Sequence, residues 1–361
     1  MEDKMIARPK TFGNLLTEVV RQRLCVYCGA CIATCPVGVI LPSGEEPSLK
    51  GACIACQLCY YQCPRTPGLI PFPMEEFEKY VFGRSREGSG VESLIGVYRS
   101  LYAARITDES LRLRCQDGGA VTALALQALQ SGTVDGVVAT GIDPAQAWKP
   151  LPKVFTDPKE LFEASGTKYT LGPLITGLSS AFFEFAKRRV LIVGVPCEVQ
   201  ALRRMQVNPF SRHKVAESIF AVIGLFCSES FWHDKLIAFI KEKGIEPSRV
   251  KRFDIKRGRF RVYEGEREVL SEPLKEMEAL TRDSCKVCQD FTAELADVSV
   301  GGVGAPDGWS LVIIRTDKGE EILKEALKAG IIEAKELSEE SEGLQEVLRL
   351  ARKKRERGGK V

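Results

Sequence analysis

Three observations predict a chain of two dissimilar units, α+β in the first and mixed α/β in the second. Residues 15–75 carry a duplicated cysteine pattern, residues 76–91 form a Gly-rich break after a Pro-rich passage, and from residue 92 short apolar strands alternate with helices. Such alternation is how strands acquire helical cover on their faces. At 361 residues the chain is long enough to bury a substantial core. A formal net charge of +3 is too small to argue for nucleic-acid binding. No apolar run approaches the roughly 20 residues that cross a bilayer. The N-terminus has acidic residues and no apolar stretch of the kind a signal peptide needs. The expectation is a cytoplasmic protein without a transmembrane segment, able to dock peripherally on a membrane complex.

Thirteen cysteines are many for a reducing compartment, where they serve as metal ligands or redox groups rather than disulfides. Eight lie between Cys25 and Cys63. Cys25, Cys28, Cys31 and Cys35-Pro36 follow the spacing C-x2-C-x2-C-x3-C-P, and Cys53, Cys56, Cys59 and Cys63-Pro64 repeat it. This is the bacterial-type dicluster ferredoxin arrangement for two 4Fe–4S clusters, in which the fourth cysteine of each run serves the other cluster. Cys25, Cys28, Cys31 and Cys63 are therefore assigned to one cluster, and Cys53, Cys56, Cys59 and Cys35 to the other. The fourth cysteine is expected at the start of a helix. Four-cysteine sites also bind zinc, but zinc spacing seldom places three cysteines at x2 intervals before x3-C-P.

Beyond the break, VESLIGVYRSLYAAR reads as a strand with its flanks, GGAVTALALQALQSG as a helix ending on Gly132, and DGVVAT as a short buried strand. RRVLIVGVP and AESIFAVIGLFC are further strands, and FWHDKLIAFIKEKG is a helix stopped at Gly244. KRFDIKRGRFRVYEG reads as a strand pair with turns at Gly258 and Gly265. Residues 321–361 are read as a charged helical tail with a solvated, frayed end and no assigned function. The catalytic unit is thus expected over 92–320.

Four more cysteines invite a third cluster. Cys197 and Cys227 each follow an apolar strand, and Cys285 and Cys288 form a C-x2-C. Strand ends of an α/β sheet converge on one crevice, so the four suit one site, although each alone would be an ordinary buried thiol. Cys115 is left over and reads as a plain core or loop thiol. After it, Gln116, Asp117, Gly118 and Gly119 lead straight into a helix, where glycines allow a ligand close to the backbone and the helix start favours anions. Taken alone, an ordinary N-cap by Asp117 with glycine turns is the preferred reading. Ser165, Gly166, Thr167, Lys168, Tyr169 and Thr170 suit an anionic planar ligand, and also a turn. The run from Val300 to Ser310 is glycine-dense but lacks the G-x-G-x-x-G of a dinucleotide site. The two histidines, His213 and His233, offer no catalytic arrangement, and the shortage of acid–base groups suits electron transfer by cofactors.

The series CQDGGAVTAL, SGTKYT, VGVPCEVQALR, IGLFCSESF, FDIKRGRF and RDSCKVCQDFTAELADVSVGGVGAPDGWSLVIIRT resembles, in order, the family of beta subunits of coenzyme F420-reducing hydrogenases and dehydrogenases, from about residue 85 to 320. The ferredoxin unit fused ahead of it is similar to the arrangement in the F subunit of archaeal F420H2 dehydrogenases. The resemblance implies a non-covalent FAD, coenzyme F420 as the deazaflavin substrate, and a third 4Fe–4S cluster on Cys197, Cys227, Cys285 and Cys288. It implies that Gln116, Asp117, Gly118, Gly119 and Thr122, with Thr167, Lys168 and Tyr169, line the FAD, Lys168 being the candidate for its phosphate or polar edge and for any catalytic contact. It further implies an oxidoreductase that moves hydride between F420 and FAD and passes single electrons to a partner redox complex. An electron relay without deazaflavin activity, or a ferredoxin-linked reductase of another acceptor, are the alternatives. Lys251, Arg252, Lys256, Arg257 and Arg259 could attract the coenzyme's anionic tail or simply form a solvated strand face.

Overall fold

The computed structural model describes residues 9–66, 74–208 and 214–359, so the Pro-rich passage over 67–73 and His213 lie outside the described residues. In the first unit, β1 (Ile40–Ser43) and β2 (Glu46–Leu49) form an antiparallel hairpin beside two short helices, Ala30–Ala33 and Leu58–Gln62. Phe12, Leu15, Val19, Ile40 and Tyr60 pack around Cys59 and Cys63 to make its core. Cys35 and Cys63 follow the last turns of these helices rather than opening a helix as expected. The reason is local: the first three cysteines occupy the loop and first turn, and the helix then carries the chain to the fourth. Gly29, at φ +85°, is required where this unit meets the next, because a Cβ there would lie 2.7 Å from the Pro173 carbonyl oxygen.

The break over 76–91 is more ordered than a linker. A helix, Met74–Phe82, buries Phe77 and Glu78, and Glu78 pairs with Arg86 at 2.5 Å. Arg86 continues to Glu294 at 2.6 Å, which ties the segment to the catalytic unit.

The strands of that unit are β3 (Ser100–Ile106), β4 (Gly136–Ile142), β5 (Pro150–Phe155), β6 (Val190–Gly194), β7 (Ile219–Leu225), β8 (Arg252–Lys256), β9 (Arg259–Glu264), β10 (Arg267–Pro273), β11 (Val298–Gly301), β12 (Ser310–Ile314) and β13 (Ile332–Glu336). An eight-stranded sheet runs β13-β3-β12-β11-β7-β6-β4-β5. Its centre, β11-β7-β6-β4, is parallel, and both flanks are antiparallel. The helices Ala120–Gln130 and Asp317–Lys328 cover one face, and Leu174–Phe183 and Pro196–Val207 the other. Burial on both faces explains why these strands read as continuous apolar runs. One consequence matters for function: the C-terminal ends of β6, β7 and β11 lie side by side.

A separate three-stranded sheet, β10-β9-β8, packs with the helix His233–Glu242. The expected strand pair is present with its turn at Arg257-Gly258, and Gly265 turns the chain into a third strand that the sequence reading missed. The tail differs most. β13 pairs with β3 inside the main sheet, and the helix Glu342–Gly358 buries Leu344, Val347, Leu348 and Ala351 against Ile95, Phe291, Leu311 and Ile313. The reading of 321–361 as a helical tail with a solvated end is therefore corrected for the residues described: it adds a strand, and its amphipathic helix is packed on the catalytic unit almost to its end. Among the described residues no helix is long and apolar enough to cross a membrane.

One buried ion pair braces the central strands at the N-terminal end of β11. Arg203 meets Asp297 at 2.8 Å, and the same carboxylate accepts the Val222 backbone N–H at 2.7 Å and the Thr316 hydroxyl at 2.8 Å. Removing one partner strands the other, so Arg203→Met should cost about 3–5 kcal/mol, read as a lower urea midpoint. A midpoint within 0.5 kcal/mol-equivalent of wild type (about the scatter of a surface change) would refute the bracing role.

Candidate redox centre

The ferredoxin unit holds two small recesses. One is lined by Cys25, Cys28, Cys31 and Cys63. The other is lined by Cys35, Cys53, Cys56 and Cys59. These are the two sets that the spacing assigns, including the exchange of fourth cysteines. Among the described residues no three His, Cys, Asp or Glu side chains converge as closely as a single ion requires. Four thiols line each recess. Leu15, Val19, Val26 and Ile32 make the first recess largely apolar, and burial pushes the Cys25 thiol up to about 11 and those of Cys28 and Cys31 well above their usual value. Neutral thiols are what such a recess favours until a cation compensates the thiolates. Cys31 lies close enough to Cys59 to feel its charge, so the rings are neighbours. Cys53 and Cys56 are exposed, which brings the second ring to the surface.

The other four cysteines are also brought together. Cys197 sits in the first turn of Pro196–Val207 after β6, Cys227 follows β7, and Cys285 and Cys288 flank the end of the short helix Asp283–Lys286. Charges on Cys227 and Cys288 are felt at Cys197, and those on Cys285 and Cys288 at Cys227. Burial raises the Cys227 thiol to about 12. The Ser230 N–H points at Cys285 Sγ (3.4 Å), and the Ser284 hydroxyl and Arg65 Nε are buried without a hydrogen-bond partner. Unsatisfied donors around a thiol ring suit an acceptor such as a cluster sulfide. Arg65, two residues after Cys63, reaches across to Cys288 and to the Ser284 carbonyl at 3.2 Å, so the third ring adjoins the first.

The candidate flavin segments converge on the neighbouring strand ends. Gln116 donates to Asp254 at 3.2 Å while its Oε1 is buried without a partner. Asp117 holds φ +48° and lies against Gly302, where a Cβ would come 2.1 Å from its Oδ2. Gly118 donates to the Ser310 hydroxyl at 3.1 Å, and Gly119 takes φ +70° at the start of Ala120–Gln130. Thr122, one turn on, reaches Cys115, whose thiol packs beneath Gly119. The Tyr169 hydroxyl accepts the Ile255 N–H at 2.9 Å and interacts with Thr167, and its ring feels both Asp117 and Asp254. Lys168 is 5% exposed, and its ammonium donates to the carbonyls of Ala164, Ser165 and Gly166 at 2.6, 3.1 and 3.0 Å. Burial pulls it down to about 7, yet three carbonyl acceptors match the three ammonium protons. In this structure Lys168 therefore shapes the loop that carries Thr167 and Tyr169.

Sequence reasoning passed over Asp254, Gly302, Asp307, Arg65 and Lys354. Asp254 and Gly302 lie inside runs already singled out, but only contacts across the fold give them a place. Lys256 and Asp307 pair at 2.6 Å and Arg252 stacks on Tyr263 at 4.1 Å, so these cations of the basic strand are partly engaged. His233 is buried, with Nε2 3.0 Å from the Ala147 carbonyl, a structural position.

Comparison with protein families matches the N-terminal part of the coenzyme F420 hydrogenase/dehydrogenase beta subunit to residues 101–179, its C-terminal part to 187–340, and a 4Fe–4S binding domain to 18–41. The chain belongs to the family of coenzyme F420 hydrogenase/dehydrogenase beta subunits. The match to residue 340 takes in β13, beyond the expected limit of 320. The beta subunit of the coenzyme F420 hydrogenase of Methanothermobacter thermautotrophicus is 40% identical over 268 residues, covering 74% of this chain and 95% of that protein. The F subunit of the F420H2 dehydrogenase of Methanosarcina mazei is 32% identical over 85% of this chain and 83% of its own. A chain of the F420-reducing NiFe hydrogenase complex from Methanosarcina barkeri superimposes with a TM-score of 0.70 at 35% identity, over 74% of this chain and 92% of that one.

Burial first, and then Asp254, raises the Asp117 carboxyl to about 6, against Lys256 and Arg252. A carboxyl held above its unfolded value destabilises the fold as pH rises through that interval. Asp117→Asn should therefore stabilise the flavin-free protein above pH 6, by at most about 3 kcal/mol, and the gain should shrink toward pH 4. Urea midpoints of both proteins across that range check it. A pH-independent difference would mean that Asp117 ionises normally.

Proposed function

We propose that the protein is an F420-dependent oxidoreductase subunit that moves hydride between the deazaflavin and a bound FAD and feeds single electrons through three 4Fe–4S clusters to a partner redox complex. The observation that supports this reading is a series of neighbouring groups linked by packing or by mutual electrostatic influence. From Asp117 it runs through Gly302 and Gly301, which press on Asp117 and Phe226, to Cys227 in the third ring. From there Arg65 leads to Cys63 in the first ring, Cys31 to Cys59 in the second, and Cys53 and Cys56 to the surface. A bound flavin supplies the change from two-electron to one-electron chemistry, and the clusters take electrons singly.

The residues divide their tasks accordingly. Gln116 presents an unsatisfied amide oxygen to the flavin, Gly118 and Gly119 let its loop pack tightly against Ala104, Ser310 and Cys115, and Lys168 holds Thr167 and Tyr169 in place beside it. Asp117, with its raised carboxyl, is placed to exchange a proton with a polar edge as charge changes there. Arg252 and Arg257, on the rim, supply positive charge toward an anionic substrate tail. The exposed second ring is the electron exit to the partner.

The reading is tested with anaerobically reconstituted protein carrying flavin and roughly twelve irons, as three cubanes require. Mixed with reduced F420 and a one-electron dye, it should bleach the dye and restore oxidised deazaflavin absorbance only when FAD is present. No oxidation by fully loaded protein would discard the deazaflavin assignment and leave a relay or another reductase. In Cys197→Ala, roughly four irons should be lost. Flavin reduction by reduced F420 should persist in that variant, while dye reduction falls at least about tenfold, the cost of removing one link in a series. Equal dye rates in the variant would show that the third ring lies off the electron path.

A further inference from the structure

Two cations face the ring of Cys197, Cys227, Cys285 and Cys288 from opposite ends of the chain. Lys354, in the C-terminal helix Glu342–Gly358, is only 5% exposed, and its ammonium donates to the Cys227 carbonyl. Charges on Cys227, Cys288 and Cys285 all act on it, with Asp290 also within reach. Arg65 comes from the ferredoxin unit, donates to the Ser284 carbonyl at 3.2 Å, is acted on by charge at Cys288, Cys197 and Cys285, and keeps a buried Nε without a partner. The next cations along the same helix behave differently. Arg355 pairs with Glu294 at 2.7 Å and Arg357 with Glu229 at 3.0 Å, whereas among the described residues Lys354 and Arg65 form no ion pair with a carboxylate.

Burying a cation without a counter-charge is costly, so a fold that keeps two of them must offer something negative in return. Four thiolates around a cluster are that counter-charge, and one more electron makes the site more negative still. We infer that Lys354 and Arg65 are positioning residues that raise the reduction potential of the third cluster, with Lys354 making the C-terminal helix part of the cluster's cage; the inference rests on the third-cluster reading above. Fixed positive charge in a water-poor setting favours the reduced form of the group it faces. The charges thereby draw one electron at a time out of the flavin site. Arg65, two residues from Cys63, lies between the third ring and the first and acts on both.

The test is an anaerobic, EPR-monitored redox titration of the reconstituted full chain. Lys354→Met keeps the stem and removes the charge; it should shift the third cluster's midpoint to a more negative value and leave the two ferredoxin clusters where they were. Lys354→Arg should restore the wild-type midpoint. Arg65→Gln should lower the midpoints of both the third cluster and the Cys25/Cys28/Cys31/Cys63 cluster. An unshifted third midpoint in fully loaded Lys354→Met overturns the inference while leaving the proposed function intact. Should Lys354→Met lose the third cluster's iron, Lys354→Arg decides: full iron and a wild-type midpoint support the charge, and loss in both shows a purely steric role and overturns it. Wild-type protein that carries only roughly eight irons, two cubanes' worth, would remove the third cluster and the inference with it.

Discussion

A fully buried guanidinium joins the two cysteine-bearing halves of the molecule. Arg282 is 0% exposed, pairs with Glu45 of the β1–β2 turn, donates to the Cys25 carbonyl at 3.3 Å, and stacks on Trp232 at 3.7 Å. It stands three positions before Cys285. One side chain thus sets where the first ring sits relative to the third. Glu45 also accepts the His233 N–H at 2.8 Å, so the helix His233–Glu242 is registered to the same carboxylate. A bidentate planar cation suits this task better than a lysine, because its donors point in fixed directions. Electron transfer through a series of sites tolerates little drift between them. The Gly29–Pro173 approach and the Cys28 carbonyl, which accepts the Ile175 N–H at 2.9 Å, complete the contact between the ferredoxin unit and the next.

The same burial that fixes the rings makes them dependent on what fills them. Buried thiols lie well above their usual pKa, so each ring favours its neutral form until metal draws the protons off. The cations nearest the third ring belong to this balance, and among the described residues neither Lys354 nor Arg65 forms an ion pair with a carboxylate. Around Asp117 the logic is reversed: two carboxylates face each other across Gln116 and keep one of them easy to protonate.

Some of this was legible from the residues in order. The C-x2-C-x2-C-x3-C-P repeat sorted the eight cysteines into the two sets that line the two recesses, because the first three of each run are set by a short stretch of local chain and the duplication exchanges the fourth. The apolar runs before Cys197 and Cys227 placed both at strand ends, and the parallel order of β6 and β7 then had to bring them together. The loop from Gln116 to Gly119 announced itself by its glycines, which a close approach to Ser310 and Ala104 requires.

What only the tertiary structure decided is which distant groups complete these sites. Asp254 joins Gln116 across 138 positions, and Lys354 reaches Cys227 across 127. No local periodicity encodes such pairs. The end of the helix Glu342–Gly358 looked solvated because of its basic run, and its burial follows only once β13 has joined β3 and brought it over Ile95 and Leu311. Sequence determines ligands whose geometry is set within one turn of chain; the electrostatic setting of those ligands is an interaction through space, and it exists only after the chain has folded.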